Sequence, residues 1–361
     1  MDDRVIPVFD GHNDVLLRLY RAKDQPEAGF DFFAENAEGH IDLPRARKGG
    51  LAGGIFAIFT PTPRDSPEWA EDWGRTIEAG GYRQQLHSAI DPAYARAFTD
   101  EVIDLLYQTV ADSGGRLELV STTRAIEDSI ACDTLAMVMH FEGAEAIHKD
   151  LSNLESYYQK GLRSLGIVWS RPNVFATGVP FCFPASPDTG PGLTGAGEAL
   201  VQRCNELGIL VDLAHINEAG FWDVARISQA PLVVSHSAAH AICPSTRNLT
   251  DRQIDAVGAS DGIIGLIFEP ANLREDGQMD NATPLSLLAR HISYIADRIG
   301  VDHVGLGSDF DGANVPDAIG SAAGLQGVIH ALQEAGFTPD EVEKIAYRNW
   351  LRVLKTTWKE D

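Results

Sequence analysis

Short apolar or β-branched runs alternate with amphipathic, helix-like stretches along almost the whole chain. Several runs are continuously apolar, as expected for strands that are buried on both faces. Eight such strands in 361 residues predict a (β/α)8 barrel of the TIM type, with a doubly wound sheet as the competing layout. No GxGxxG motif opens a helix after the first strand, which disfavours a dinucleotide-binding sheet. The predicted strands are Val5–Phe9, Gly54–Phe59, Ala136–Phe141, Ser164–Val168, Ile209–Leu213, Leu232–Val234, Ile263–Ile267 and His303–Leu306.

No linker, repeat or low-complexity tract divides the sequence, so residues 1–361 are predicted to form one domain. Residues 60–131 follow the second strand and are longer than one crossover requires. They are predicted to be an insertion with helices over the barrel. Residues 178–197 are rich in Pro and Gly and are predicted to form a long loop, the kind of segment that often binds ligands.

The chain is strongly acidic, with 29 Lys and Arg against 52 Asp and Glu and a formal net charge of −23. Such a chain gains nothing from phosphate contacts and is repelled by anionic membrane surfaces, so nucleic acid and membranes are excluded as partners. No apolar run approaches the length of a transmembrane helix, and the N-terminus lacks the apolar core of a signal peptide. The four cysteines stand singly, as is typical of reduced thiols, so a cytoplasmic protein is predicted. The sequence leaves open whether the chain is a monomer or a homodimer.

Polar residues fall at the C-terminal ends of several predicted strands, the face on which barrel enzymes assemble their active sites. His12 and Asp14 are two residues apart, so in an extended chain their side chains share a face. The other ligand candidates at strand ends are Glu142, His215 and His236. Three histidines and two carboxylates suit a pair of zinc-like ions, because imidazole and carboxylate both bind zinc and one carboxylate can bridge two cations. Two such metals, about 3.5–4 Å apart, could hold a hydroxide and polarise a carbonyl.

Asp309 is a further carboxylate at a strand end and is suited to move a proton beside such a metal pair. Each candidate also has an ordinary interpretation, since a single buried histidine or aspartate is often only a hydrogen-bonded polar residue. His140 shares a face with Glu142 and is a candidate for orienting a ligand. Asp10 and Asp212 could simply form hydrogen bonds around the barrel mouth, and Asp311 could be a turn residue before a glycine.

Seven segments carry a resemblance that runs from residue 9 to the C-terminal helix. They are DGHNDV near the start, HIDLPRARKGG at His40–Gly50, HFEGAEAI at His140–Ile147, GLRSLGIVWSRPN at Gly161–Asn173, VDLAHIN at Val211–Asn217, SHSAAHAICPSTRNLTD at Ser235–Asp251 and HVGLGSDFDG at His303–Gly312. With these segments the chain resembles the membrane (renal) dipeptidase family, peptidase family M19, within the amidohydrolase superfamily of metal-dependent barrels. The signal and anchor regions of the membrane-bound relatives are missing, so the resemblance is to a bacterial-type soluble member.

The resemblance implies a ligand set for two zinc ions per chain. His12 and Asp14 would hold one ion, and Glu142 would bridge it to the second. His215 and His236 would complete the second site.

The resemblance also implies roles for two charged residues and a reaction. Asp309 would be the catalytic acid and base, and Arg247 would bind the free carboxylate of the substrate. A guanidinium suits that second role because it pairs bidentately with carboxylates. The implied reaction is hydrolysis of a dipeptide by a hydroxide that bridges the metals, with L-Xaa-D-Xaa substrates suggested by bacterial relatives.

The chain departs from the family at one position. Vertebrate members carry a histidine after the fourth strand that is thought to bond the tetrahedral oxyanion, and Trp169 stands there in this sequence. Trp169 could line the substrate pocket, and the metal, Ser170 or Arg171 could replace the histidine as the oxyanion partner. Because Trp169 replaces this histidine, the sequence is also compatible with substrates other than dipeptides.

Two alternative functions therefore remain. One is another hydrolase of the same superfamily, acting on a lactone, a cyclic amide or an N-acyl amino acid. The more distant one is a non-catalytic protein that binds metal or peptide on a retained barrel.

Overall fold

The computed structural model describes residues 5–24, 29–70 and 72–360. Twelve strands occur within these ranges: β1 (Val8–Asn13), β2 (Leu51–Phe59), β3 (Arg75–Glu78), β4 (Gly81–Gln84), β5 (Leu117–Leu119), β6 (Leu135–Glu142), β7 (Leu162–Gly166), β8 (Cys182–Phe183), β9 (Leu210–Asp212), β10 (Val233–Ser237), β11 (Ile263–Leu266) and β12 (Val304–Leu306).

Eight of these strands form a closed parallel barrel, in the order β1, β2, β6, β7, β9, β10, β11 and β12. The ring closes where β12 pairs with β1. The strand β5 extends the sheet outside the ring by pairing with β6. The predicted (β/α)8 barrel is therefore confirmed, with all eight predicted strands present at shifted ends.

Helices connect the barrel strands and cover the outside of the ring. They are α1 (Val15–Asp24), α2 (Leu43–Gly49), α3 (Pro92–Asp112), α4 (Thr123–Ala131), α5 (Leu154–Gln159), α6 (Gly195–Leu207), α7 (Glu218–Ile227), α8 (Asp251–Ala259), α9 (Pro270–Leu273), α10 (Leu285–Ile299), α11 (Leu325–Glu334), α12 (Pro339–Glu343) and α13 (Asn349–Thr357). Residues Lys344–Arg348 form a π-helical turn between α12 and α13. Capping boxes at Thr250 and Thr338 begin α8 and α12, because each threonine and the side chain three residues later satisfy backbone N–H groups that a helix start leaves unpaired.

The first strand differs most from its sequence-based prediction. Its apolar run ends at Phe9, but β1 continues through Asp10 and His12 to Asn13, and all six strand residues are buried. Polar residues continue the strand here because the upper interior of the barrel is itself polar. Asp14 lies one residue beyond β1, so it does not share an extended strand with His12 as the spacing predicts.

The lower interior of the barrel contains a large side chain from the last helix, packed among apolar strand residues. Trp350 of α13 is completely buried, packs with Phe9, and donates a hydrogen bond from Nε1 to the Leu306 carbonyl oxygen at 2.9 Å. A Cβ added to Gly11 would overlap its ring, and one added to Gly305 would lie 2.5 Å from Nε1. The indole can pack at this position because Gly11 of β1 and Gly305 of β12 have no side chain.

A small antiparallel sheet joins the two segments that sequence analysis singles out as an insertion and a loop. The hairpin β3–β4 lies within residues 60–131, and β4 pairs with β8, which lies within residues 178–197. The hairpin and the loop are thus held to one another across a large sequence separation. Among the described residues, no helix has the length and apolarity that crossing a membrane requires. Residues 1–4, which belong to the N-terminal segment used to predict a missing signal peptide, lie outside the described residues.

Candidate metal centre

The candidate ligands meet inside the upper end of the barrel. His12 lies in β1, Glu142 ends β6, His236 lies in β10, and His215 follows β9. Parallel strands bring their C-terminal ends to one face, so residues separated by more than two hundred positions become neighbours. His12 and His236 are completely buried, and Glu142 and His215 are about 5% exposed.

One half of the cluster contains His12, Asp14 and Glu142. His12 Nε2 lies 3.3 Å from Asp14 Oδ2 and 3.7 Å from Glu142 Oε2. Neither ring nitrogen of His12 has a hydrogen-bond partner among the described residues. Potential ligand atoms of all three residues lie within 4.8 Å of one another, which is close enough to share one cation.

The other half contains Glu142, His215 and His236. The two Nε2 atoms of the histidines are 3.0 Å apart, and His215 Nε2 lies 3.2 Å from Glu142 Oε1. Glu142 therefore presents one carboxylate oxygen to each half of the cluster. A carboxylate in this position can bridge two cations.

Hydrogen bonds on the outer nitrogens orient two of the histidines. His215 Nδ1 is 2.9 Å from Ser170 Oγ, and His236 Nδ1 is 2.8 Å from Ser235 Oγ. Such outer partners commonly fix the ring orientation of metal-binding histidines. The inner Nε2 atoms then face one another and Glu142. Sequence analysis places Ser170 at the substrate, whereas in the structure its buried hydroxyl bonds a candidate ligand.

The electrostatics of the cluster favour a cation. Burial alone would lower the pKa of His12, but the carboxylates of Glu142 and Asp14 outweigh it and raise that pKa to about 10. Burial and the neighbouring Asp14 raise the pKa of Glu142 well above its usual value. Burial lowers the pKa of His215 and His236 well below the usual value for imidazole. The neutral imidazoles of His215 and His236, together with the crowded carboxylates, fit divalent metal ions at this buried point, and zinc accepts both ligand types.

Asp309 lies beside this cluster on the loop after β12. Its Oδ1 is 4.0 Å from His12 Nε2, and its side chain is 14% exposed. Burial and the Asp14 carboxylate raise the pKa of Asp309 to about 8. Gly312 makes the close approach of these carboxylates possible, because a Cβ there would overlap both Asp14 Oδ2 and Asp309 Oδ1. No sequence pattern marks this role of Gly312, although the glycine is the last residue of the DFDG segment that begins at Asp309.

A cavity of about 230 Å³ opens onto the cluster. Among its lining residues are Asp14, Glu142, His215 and Asp309 from the cluster, Arg247, Trp169 and Arg171 from the predicted substrate set, and Phe59, Glu68, Trp69, His87 and Phe181. Glu68, Trp69 and His87 come from the predicted insertion. No sequence motif marks them, because only the fold brings residues 60–131 to the barrel mouth.

Arg247 is 5% exposed and has no ion pair to a carboxylate among the described residues. Its Nη2 donates to the His236 carbonyl oxygen at 3.3 Å, which anchors the guanidinium beside the cluster. Burial lowers the pKa of Arg247, although Asp309 and Glu269 nearby favour its charge. A guanidinium with donors directed to a cavity is suited to bind a carboxylate.

Trp169 and Arg171 form one wall of the cavity. The Trp169 ring centroid is 5.9 Å from that of His215 and 5.1 Å from that of Phe59. The Arg171 guanidinium lies 4.6 Å from the centroid of Trp169, and none of its three nitrogens has a hydrogen-bond partner among the described residues. The wall therefore combines aromatic rings with a buried positive charge.

A second and larger cavity, of about 990 Å³, lies elsewhere between residues 89–96, 145–150 and 172–174. It contains none of the candidate ligands, so the chemistry belongs to the smaller cavity. A closed barrel with a buried cluster of histidines and carboxylates at the C-terminal ends of its strands defines the class of metal-dependent barrel hydrolases.

Comparison with known proteins identifies the family. The model of the membrane dipeptidases, peptidase family M19, matches residues 3–360. A metallopeptidase from Rhodobacter sphaeroides, solved with a phosphinate mimic of the dipeptide L-Ala-D-Ala, is 43% identical, with a TM-score of 0.92 over 98% of this chain and 100% of that one.

Two relatives are similar in sequence. A Klebsiella pneumoniae protein encoded in the region 5′ of pqqA is 46% identical over 256 residues, which cover 71% of this chain and 94% of that protein. The dipeptidase aclJ of Aspergillus oryzae is 28% identical over 362 residues, covering 97% and 78% of the two chains. The chain belongs to the membrane dipeptidase family, peptidase family M19, and is a metallodipeptidase.

Proposed function

We propose that this chain is a dipeptidase that uses two zinc ions and prefers substrates of the L-Xaa-D-Xaa type. The observation that carries the proposal is the position of Glu142, which presents one oxygen to His12 and the other to His215. His12 and Asp14 would hold one ion, His215 and His236 the other, and Glu142 both. Zinc ions bound there would supply an activated water at neutral pH and polarise the peptide carbonyl.

Asp309 is the proposed acid and base. Its carboxylate lies beside the cluster and lines the cavity, within reach of a substrate held at the ligands. It would accept a proton from the attacking water and transfer it to the nitrogen of the leaving amino acid.

Arg247 is the proposed partner of the substrate's C-terminal carboxylate. The cavity volume of about 230 Å³ leaves room for a very short peptide between this guanidinium and the cluster. An anchored carboxylate would therefore place the single peptide bond of a dipeptide at the ligands, whereas a longer chain would not fit.

Trp169 and Arg171 are the proposed substitutes for the histidine of vertebrate members. The indole lies against His215 and lines the cavity, and its N–H is a hydrogen-bond donor. The guanidinium behind it adds positive charge on the side of the cavity where the carbonyl oxygen would become negative. Ser170 is left out of this role and is proposed to hold His215 instead.

The preference for a D-residue at the C-terminal position rests on the Rhodobacter sphaeroides relative, whose bound phosphinate mimics L-Ala-D-Ala. A cytoplasmic location is proposed from the cysteines, since Cys132, Cys182, Cys204 and Cys243 all carry free thiols.

A panel of L-Xaa-L-Xaa and L-Xaa-D-Xaa dipeptides, given to zinc-loaded protein, tests the proposal. We expect hydrolysis of the second group to dominate. Asp309→Asn should retain zinc and lose about 10²- to 10⁴-fold in kcat, the usual contribution of a positioned acid or base.

Asp302→Asn is the matched control, because the side chain of Asp302 is exposed and pairs with Lys344 at the surface. It should hydrolyse dipeptides normally. Turnover retained by Asp309→Asn would refute the acid and base assignment. Failure on every dipeptide with zinc bound would refute the proposed substrate and direct the search to lactones and N-acyl amino acids.

A further inference from the structure

The three histidines of the metal centre differ in what holds their outer nitrogens. His215 bonds Ser170, and His236 bonds Ser235. No described residue forms a hydrogen bond with His12 Nδ1, although that atom is buried. Other groups near His12 must therefore keep its Nε2 directed at the carboxylates.

The partner of His236 shows how such a network is built. Ser235 Oγ donates its one proton to Asp212 Oδ2 at 2.5 Å, so it can only accept from His236 Nδ1. This arrangement places the hydrogen of His236 on Nδ1 and leaves the lone pair of Nε2 free to bind a metal. Asp212 is itself held firmly, since Oδ1 accepts from the backbone N–H groups of Ala214 and Ser235.

His140 lies on the other side of Asp212 and directly beneath His12. Its ring is completely buried, meets the ring of His12 edge-on at 5.5 Å, and is fixed by a 2.8 Å contact between Nδ1 and Ser164 Oγ. In the part of the chain that the structure describes, His140 Nε2 has no hydrogen-bond partner, and it lies 3.8 Å from Asp212 Oδ2. One nitrogen or oxygen from each of His12, His140 and Asp212 lies within 4.8 Å of the other two.

We propose that His140 and Asp212 are positioning residues of the metal centre, and that Asp212 serves both halves of it. Through Ser235 it orients His236. One water that accepts the outer N–H of His12 would donate its two protons to Asp212 and to His140 Nε2. Two buried nitrogens without a partner among the described residues, His12 Nδ1 and His140 Nε2, would both be satisfied in this way. This inference rests on the proposed zinc centre and adds residues that contact neither substrate nor metal.

The network predicts which zinc ion each substitution weakens. His140→Phe keeps the ring volume but removes both nitrogens, so it should weaken only the ion held by His12 and Asp14. Asp212→Asn should weaken both ions, because its amide group cannot accept from Ser235 and serve His12 equally well. Loss of an outer partner typically costs about 10- to 100-fold in metal affinity.

Zinc stoichiometry and affinity, measured by competition with a chromophoric chelator, provide the test without any assay of turnover. His291→Phe is the matched control, since His291 is equally buried and its ring nitrogens bond Ala239 N and Leu273 O rather than any candidate ligand or its serine partner. It should lower the unfolding temperature yet bind two zinc ions normally. His140→Gln provides a second, polar variant should the phenylalanine destabilise the fold, and we expect an intermediate loss of affinity.

Two zinc ions bound with unchanged affinity by His140→Phe and His140→Gln would overturn the inference. A third zinc ion in the unsubstituted protein, lost in His140→Phe, would overturn it in favour of a metal site formed by His12, His140 and Asp212. The outcome is separate from the proposed reaction. Protein that binds zinc as described but cleaves no dipeptide would refute the substrate and leave the network standing.

Discussion

Arg247→Met tests whether the cavity recognises a free C-terminal carboxylate. Methionine retains a long apolar stem and removes the charge from a site that is 5% exposed. The guanidinium is held in place by its bond to the His236 carbonyl oxygen, so little reorganisation accompanies substrate binding.

The size of the effect follows from burial. Truncating one partner of a buried, hydrogen-bonded charge pair costs about 2–5 kcal/mol, which corresponds to a loss of about 30- to 4,000-fold in kcat/KM. A dipeptide amide carries no carboxylate, so the unsubstituted enzyme should disfavour it by a similar factor. The variant should hydrolyse the acid and the amide about equally well.

Steady-state kinetics of the four combinations of enzyme and substrate measure this coupling directly. Zinc content, measured on both proteins, controls for damage to the neighbouring His236. Arg203→Met is a matched control, because Arg203 pairs with Glu155 and Glu206 at the surface. Equal rates for acid and amide with the unsubstituted enzyme, or discrimination that persists in Arg247→Met, would refute the assignment.

Three further outcomes follow from the packing and charge of the site. Gly312→Ala should push Asp14 and Asp309 apart and reduce both zinc affinity and kcat, whereas normal zinc binding by a folded variant would contradict the contact. Removing zinc with a chelator should lower the unfolding temperature, because free zinc at a thousand times its Kd stabilises the folded state by about 4 kcal/mol. An unfolding temperature that is the same with and without zinc would argue against the metal centre. Trp350→Ala should lower the free energy of unfolding by about 3–5 kcal/mol in denaturant titrations, and a loss below 1 kcal/mol would show that the indole does not fill the barrel.

The sequence predicts the barrel well because parallel strands are buried on both faces and therefore appear as continuous apolar runs. It fails where the barrel interior becomes polar. The apolar run of β1 ends at Phe9, yet the strand continues to Asn13, since its last residues face the cluster rather than a loop. The strands β3, β4 and β8 also escape prediction, because they are short, and three of the four residues of β4 are not fully buried.

The candidate ligands are predictable because histidine and carboxylate at strand ends form a recognisable pattern, strengthened by the resemblance to the membrane dipeptidases. The residues that hydrogen-bond these ligands are not predictable from the sequence. Ser170 and Ser235 each bond a candidate ligand, but a serine hydroxyl gives no sequence signal of its own. Gly312 likewise acquires its importance only from the two carboxylates that meet above it.

The indole of Trp350 also has a consequence for the order of events during protein synthesis. All eight barrel strands and all five candidate ligands precede it in the chain and leave the ribosome first. A nascent chain can pair its strands, but the lower interior of the ring lacks the Trp350 indole until α13 has been translated. Completion of the barrel core is therefore tied to the end of translation, and a chain cut short before α13 would have no indole packed against its strand glycines.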